Sequence, residues 1–298
     1  MFLLFAEEHE PIIVEFVNRY FGEYAYHFNM EYVRPYVLTP LLGFFGTTPD
    51  ALYGKITPEN AIPWYTIMFF IACLLTMTVI WVLRGRLSED NPSDGQQTLE
   101  ATVLTLRGML VDIVGEHGVK YFPVVATFAI LILISNLMGF FPLFITPTAS
   151  VNVTFALGIS SFIYYNYIGI KENGIVNHLA HLAGPIWWMA WLIFPIEVIG
   201  NLVRPMSLGI RLFGNMFADE QVSATIAGLA PPYTQILLPV VIMPLGLFVA
   251  LIQTFVFTLL SMLYLSEVSH GSHDEDHDQE HAHHEEPHIQ TKTVTMPA

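Results

Sequence analysis

Residues 121–170 read YFPVVATFAILILISNLMGFFPLFITPTASVNVTFALGISSFIYYNYIGI, an unbroken run without Asp, Glu, Lys, Arg or His. About 20 apolar residues are enough to cross the hydrocarbon core of a bilayer, so this run crosses twice. Pro142 and Pro147 mark the turn between the two crossings. Lys120 and Lys171 flank the pair, and the bias of basic residues towards the cytoplasm places both outer ends there.

Working outward, Trp64–Leu83 carries no charge and ends at Arg84 and Arg86, which makes it a first span with its end inside. Ser88–Gln97 (SEDNPSDGQQ) reads as a linker. Beyond it Leu99, Val103, Leu106, Leu110 and Val114 recur at helical spacing among Glu100, Arg107, Asp112 and Glu116, the pattern of an amphipathic helix lying on the membrane surface. Ile186–Ala218 is apolar except for Glu197, Arg204 and Arg211, and Gln221–Ser266 is uncharged. A hairpin turning near Ala230-Pro231-Pro232 follows. The expected organisation is an acidic extracytoplasmic segment (1–63), in which Ile12–Tyr20 has the pattern of a short amphipathic helix, a first transmembrane helix (64–83), and a cytoplasmic linker with surface helix (84–120). A transmembrane pair (121–170), a cytoplasmic loop (171–185), a helical hairpin (186–266) and a disordered His/acidic tail (267–298) complete it. The fold class is an all-α integral membrane protein of about five crossings with a long, tilted C-terminal hairpin, N-terminus outside and C-terminus in the cytoplasm.

The whole composition agrees: of 298 residues 53% are hydrophobic and 12% charged, against about 25% charged in a soluble domain. The net charge of −15 sits mostly in the two ends. With only 11 Lys and Arg there is no basic patch for nucleic acid. The single cysteine, Cys73, excludes an internal disulfide and a Cys-based zinc site. Met1–Ala6 lacks a cationic leader, so the start of the chain is expected to be retained. No GxxxxGK phosphate loop occurs, and His178 and His181 lack the HExxH pattern of a zinc protease. No cofactor and no metal are expected. The tail interleaves His270, His273, His277, His281, His283, His284 and His288 with carboxylates, a composition that predicts disorder.

Arg211 is the residue that demands an explanation, because a guanidinium inside a membrane helix costs about 2.5–3.5 kcal/mol on insertion scales. It either snorkels to an interface, pairs with Glu197 on a similar helical face, or serves a function. Ser207, Arg211 and Asn215 recur every four residues, so a polar stripe runs down one face of an apolar helix. Such a stripe faces protein or water, where a fixed cation attracts an intramembrane carboxylate. Arginine stays protonated, so its role is electrostatic and excludes proton relay. Glu220 and Glu197 are candidate proton-exchanging carboxylates, although a helix-end charge and a partner for Arg204 remain open as their structural readings. Asn215 and Gln253 either orient the polar path or form helix–helix hydrogen bonds; Asn136, Asn152 and Ser160 carry the same structural reading.

The segment PMSLGIRLFGNM, Pro205–Met216, resembles the signature of subunit a of F-type ATP synthases. Ser135-Asn136-Leu137-Met138-Gly139, the Pro147–Thr154 segment, Glu197, Glu220, Gln253 and Tyr264 add to that resemblance, which covers roughly Trp64–Ser266. It implies a non-catalytic stator subunit in a bacterial inner membrane, partnered by the c-ring, the peripheral-stalk subunit b, the rest of the synthase and the lipid bilayer. It further implies two offset half-channels, each reaching the c-ring carboxylate, with Arg211 between them and Ser207, Asn215, Gln253, Glu197 and Glu220 along the ion path, expected to be a proton path. Two residues depart from the pattern: Gly246 stands where many relatives place a histidine facing the Glu220 position, and Ser150 where some place an aspartate. The alternative is a secondary transporter using Arg211 and Glu220, against which the lack of inverted repeats counts. An intramembrane hydrolase lacks a base near Ser160-Ser161.

Overall fold

A computed structural model describes residues 12–44, 46, 56–85, 87–141, 144–183, 188, 190–227 and 233–269. The described residues form helices joined by turns and short irregular connections, without strands. The first helix, α1 (Ile12–Phe28), runs through π-helical turns at Asn29–Leu38 into the short α2 (Thr39–Phe44). Then come α3 (Trp64–Arg84), α4 (Asp94–Val114), α5 (Phe122–Leu137), α6 (Val151–Ala183), α7 (Ala190–Ala227) and α8 (Tyr233–Ser269). Five stretches are long and apolar enough to cross a membrane: Trp64–Arg84, Glu116–Phe140, Val151–Glu172, Trp191–Val222 and Met243–Ser269. The expected all-helical membrane fold of five crossings is the one observed.

The linker before α4 folds by local hydrogen bonding. Ser93 caps the helix by accepting from the Gln96 amide, and the buried Gln96 side chain reaches back to both the N–H and the carbonyl of Ser88. The α4 stripe Leu99–Val103–Leu106–Leu110–Val114 is its buried and half-buried face. Leu110 and Val114 pack with Met262 and Leu265 at the end of α8, where Ser266 Oγ donates to the Ile113 carbonyl at 2.7 Å.

α5 and α8 meet through Phe128 and Phe257 and through Asn136, whose Nδ2 donates to Thr254 at 3.4 Å while its Oδ1 accepts from Thr148 at 2.6 Å. Asn136 is thus a satisfied helix–helix contact, as is Ser161, 3.1 Å from Ser261. Ser160 bonds only to its own helix at Ala156, and Asn152 is exposed.

α6 and α7 pack backbone to backbone. A Cβ at Gly158 would lie 2.7 Å from the Pro205 carbonyl oxygen, and one at Gly209 would lie 3.1 Å from the Thr154 carbonyl oxygen. Small residues at both crossing points let apolar helices gain dispersion energy that lipid alone does not supply. Pro205 also deletes the N–H that would serve the Asn201 carbonyl one turn earlier. Tyr165 of α6 donates to that carbonyl at 3.4 Å and also bonds the Asn201 side chain.

The 171–185 segment, expected as a loop, continues α6 as helix to Ala183, broken at Gly174 where φ is +75°. His178 and His181 lie on this continuation. Glu267, assigned to the tail, belongs to α8, which extends to Ser269. The remaining tail, the Ala230-Pro231-Pro232 turn and Pro142 lie outside the described residues.

The bundle has two distinct ends. At one, α1, the start of α3 and Met138 share a core of Val14, Ile67, Met68, Ala72 and Met138. At the other, Lys120 before α5 pairs with Glu172 of α6, beside the α4–α8 contact.

Candidate functional site

α7 is a helix with two faces. Leu208, Leu212 and Met216 are buried against Ile132, Val153, Leu157 and Phe257, which fixes how the helix is rotated. One residue round, Ser207, Arg211 and Asn215 are exposed, flanked by exposed Met206, Ile210 and Phe217. The polar stripe therefore lies on the outer surface of the chain, set in an apolar field. Among the described residues Arg211 has neither an ion-pair partner nor a hydrogen bond. The alternative of a Glu197–Arg211 pair is not realised.

Glu197 turns instead to Arg204, whose Nη2 lies 3.4 Å from Glu197 and 2.8 Å from Glu267 of α8. The Arg204 guanidinium also stacks on the Tyr264 ring, 5.4 Å from its centroid. Close by, Asn201 joins Tyr165 and Asn166 of α6. This half-buried polar cluster lies at the Lys120 end of the bundle.

At the opposite end of α7, Asp219 and Glu220 are half-buried. The Asp219 carboxylate occupies the space over Gly246 of α8: a Cβ there would stand 2.9 and 3.3 Å from its two oxygens and 3.3 Å from Phe140. Between the two ends, Asn215 Nδ2 donates to Gln253 Oε1 at 2.7 Å. Gln253 is 2% exposed, and its Nε2 is a buried donor without a partner. An unsatisfied buried amide is costly, of order 1–3 kcal/mol, so it marks a place for an acceptor within the polar seam.

The expected site residues thus follow one another along α7 in the order Glu197, Ser207, Arg211, Asn215 with Gln253 of α8, Glu220; the first four of these α7 positions share one face, and Glu220, nine residues past Arg211, lies about 180° round the helix from it. At 1.5 Å per residue, Glu197 lies about 21 Å and Glu220 about 13 Å from Arg211 along the helix. Asp219, Glu267 and Tyr165 escaped the sequence reading. The glycine at 246 was the available signal for Asp219. Nothing local singled out Glu267 or Tyr165, whose partners come from other helices.

These features define a polytopic helical membrane protein carrying a cation that is unpaired among the described residues, on its outer face between carboxylate clusters towards the two ends of α7. Residues 66–266 match the family model described as ATP synthase A chain. The chain is 44% identical over 204 residues to ATP synthase subunit a of Trichlorobacter lovleyi, covering 68% of this chain and 85% of that protein. It is 41% identical over 236 residues to ATP synthase subunit a of Geobacter sulfurreducens, covering 79% of this chain and 97% of that protein. The chain belongs to the ATP synthase A chain family, the non-catalytic, proton-translocating stator subunit of F-type ATP synthases. It is a multi-pass membrane protein that works within a larger complex. The transporter alternative falls with this assignment.

Proposed function

We propose that the exposed face of α7 abuts the c-ring of a bacterial inner-membrane synthase, with Arg211 as the fixed charge that separates two proton half-channels. The observation that carries this reading is Arg211, unpaired among the described residues, on a helix whose adjoining face is locked into the bundle. An isolated guanidinium in hydrocarbon is unfavourable, so its partner comes from outside the chain. A c-ring carboxylate that has lost its proton meets that need. Because arginine keeps its proton, the carboxylate can be held there but not reprotonated by it, and protons cannot leak past.

Glu220 and Asp219 serve the half-channel open to the outer side, and Glu197 the one open to the cytoplasm. Asn215 and Gln253 hold the polar seam between them, and Ser207 lines the cytoplasmic side of Arg211. A proton entering at the Glu220 end neutralises a ring carboxylate, which then rotates through lipid and releases its proton at the Glu197 end. Each unit charge crossing 100 mV supplies about 2.3 kcal/mol to the rotation.

The deciding experiment is ATP-driven proton pumping in vesicles that hold the assembled complex. Arg211→Ala is expected to abolish pumping, and Glu220→Gln to reduce it, at unchanged assembly. Normal pumping by Arg211→Ala would overturn the reading.

A further inference from the structure

The N-terminal helix lies outside residues 66–266 that match the family, yet its sequence is divided into distinct faces. With 100° per residue and Asn18 taken as the origin, Val14 and Gly22 fall within about 40° of it. This is the face held by the bundle. The Asn18 side chain donates to the Ile62 carbonyl and accepts from the Ile62 N–H, both at 3.1 Å. Gly22 passes so close under Pro58 that a Cβ would stand 2.0 Å from its carbonyl oxygen. Val14 is fully buried with Ile67 and Met68 of α3.

On one side of that face, at about 60–160°, stand Phe21, Val17, Tyr24, Ile13 and Tyr20. Phe21 is 61% and Tyr24 78% exposed. On the other side, over a similar arc, stand Glu15, Arg19 and Glu23, with Tyr26 and Ile12 among them and Phe16 at the far edge, where it meets Tyr20 of the aromatic side. A helix attached by one face needs only a polar second face to be soluble; an aromatic third face is unfavourable in water.

We infer that α1 is an interfacial helix whose Phe21–Tyr24 face is sunk into the lipid of the bilayer surface, with Glu15, Arg19 and Glu23 in water. Three observations favour lipid over another occupant. α1 is fixed to Ile67 and Met68, about 5 Å inside the start of the Trp64–Arg84 span, so it sits at the level of the headgroup boundary. Its unpartnered face carries Tyr20 and Tyr24, whose rings are apolar and whose hydroxyls suit a level that is wet on one side, beside the wholly apolar Phe21. The water-facing side is close to neutral, so attachment needs apolar insertion and no anionic lipid. The helix then braces the first span against tilting, at the end of the bundle where Asp219 meets Gly246.

The test uses the assembled complex in phosphatidylcholine vesicles, with Cys73→Ser as background and single spin-labelled cysteines at Phe21, Tyr24, Glu15 and Glu23. Labels at Phe21 and Tyr24 are expected to collide several-fold more with oxygen than with a water-soluble nickel chelate, and labels at Glu15 and Glu23 the reverse. Equal access of the chelate to all four would overturn the inference by showing an open face. Exclusion of both reagents from Phe21 and Tyr24 would overturn it by showing a protein partner. An unsubstituted complex treated with a photoactivatable phosphatidylcholine gives a second readout: adducts are expected at Phe21 or Tyr24, and their absence counts against the inference.

Discussion

Gly246 and Asp219 share a few ångströms at the end of α7, and only one of the two positions has room for a side chain. Gly246→Ala would force the Asp219 carboxylate to swing away from a Cβ 2.9 Å from its oxygen. Because the atom that must move is the end of a short side chain, the cost in stability is expected to stay within about 0.5 kcal/mol. The effect belongs to the proton path: ATP-driven pumping is expected to fall several-fold with assembly intact. Pumping equal to the parent would show that Asp219 takes no part. Gln253 poses the matching question at mid-helix. An interhelical hydrogen bond in a membrane bundle is worth about 0.6 kcal/mol on average, so Gln253→Leu should barely shift thermal stability. If its buried amide belongs to the conducting seam, the same substitution lowers the pumping rate markedly, which the vesicle assay reads directly.

At the scale of the helices, α6 and α7 carry the tightest contact. Gly158→Val would drive side-chain atoms into the Pro205 carbonyl, a backbone atom that cannot step aside. A destabilisation of about 1–3 kcal/mol is expected, seen as a lower melting temperature of the assembled complex. Tyr165→Phe removes the hydroxyl serving the carbonyl that Pro205 leaves open, and about 1–3 kcal/mol is expected from that unsatisfied group. The spans themselves were legible in the sequence because freedom from charge over some twenty residues is a local property, and the α4 stripe because helical spacing is. The rotation of α7 was half legible: the polar stripe was plain, but only burial of Leu208, Leu212 and Met216 shows which way it points. The choice of Arg204 for Glu267 over Arg211 for Glu197, and the meeting of Asp219 with Gly246, depend on how α7 lies along α8. No local spacing encodes that pairing. The helical run past Gly174 was missed because a glycine and two histidines read as a turn when neighbours are unknown.

Across the whole molecule the two ends of the bundle carry different chemistry, and the direction of proton flow follows from which end is inside. Arg84 closes the first span, Lys120 opens the second, and Lys171 closes the third; the Lys120–Glu172 pair ties the last two to one level. In the proposed orientation, with the basic residues on the cytoplasmic side, the Arg204–Glu197–Glu267 cluster lies inside and the Asp219–Gly246 contact outside. Five crossings then leave α1 and the end of α8 on opposite sides. The expected outcome is an active alkaline phosphatase when fused before α1, and a fluorescent green protein when fused after Ser269, each in an assembled complex. Both reporters on one side would mean that one of the five stretches does not cross. Both reversed would exchange the entry and exit carboxylates, so that protons driving synthesis would enter past Glu197 and leave past Glu220, with Arg211 still between them.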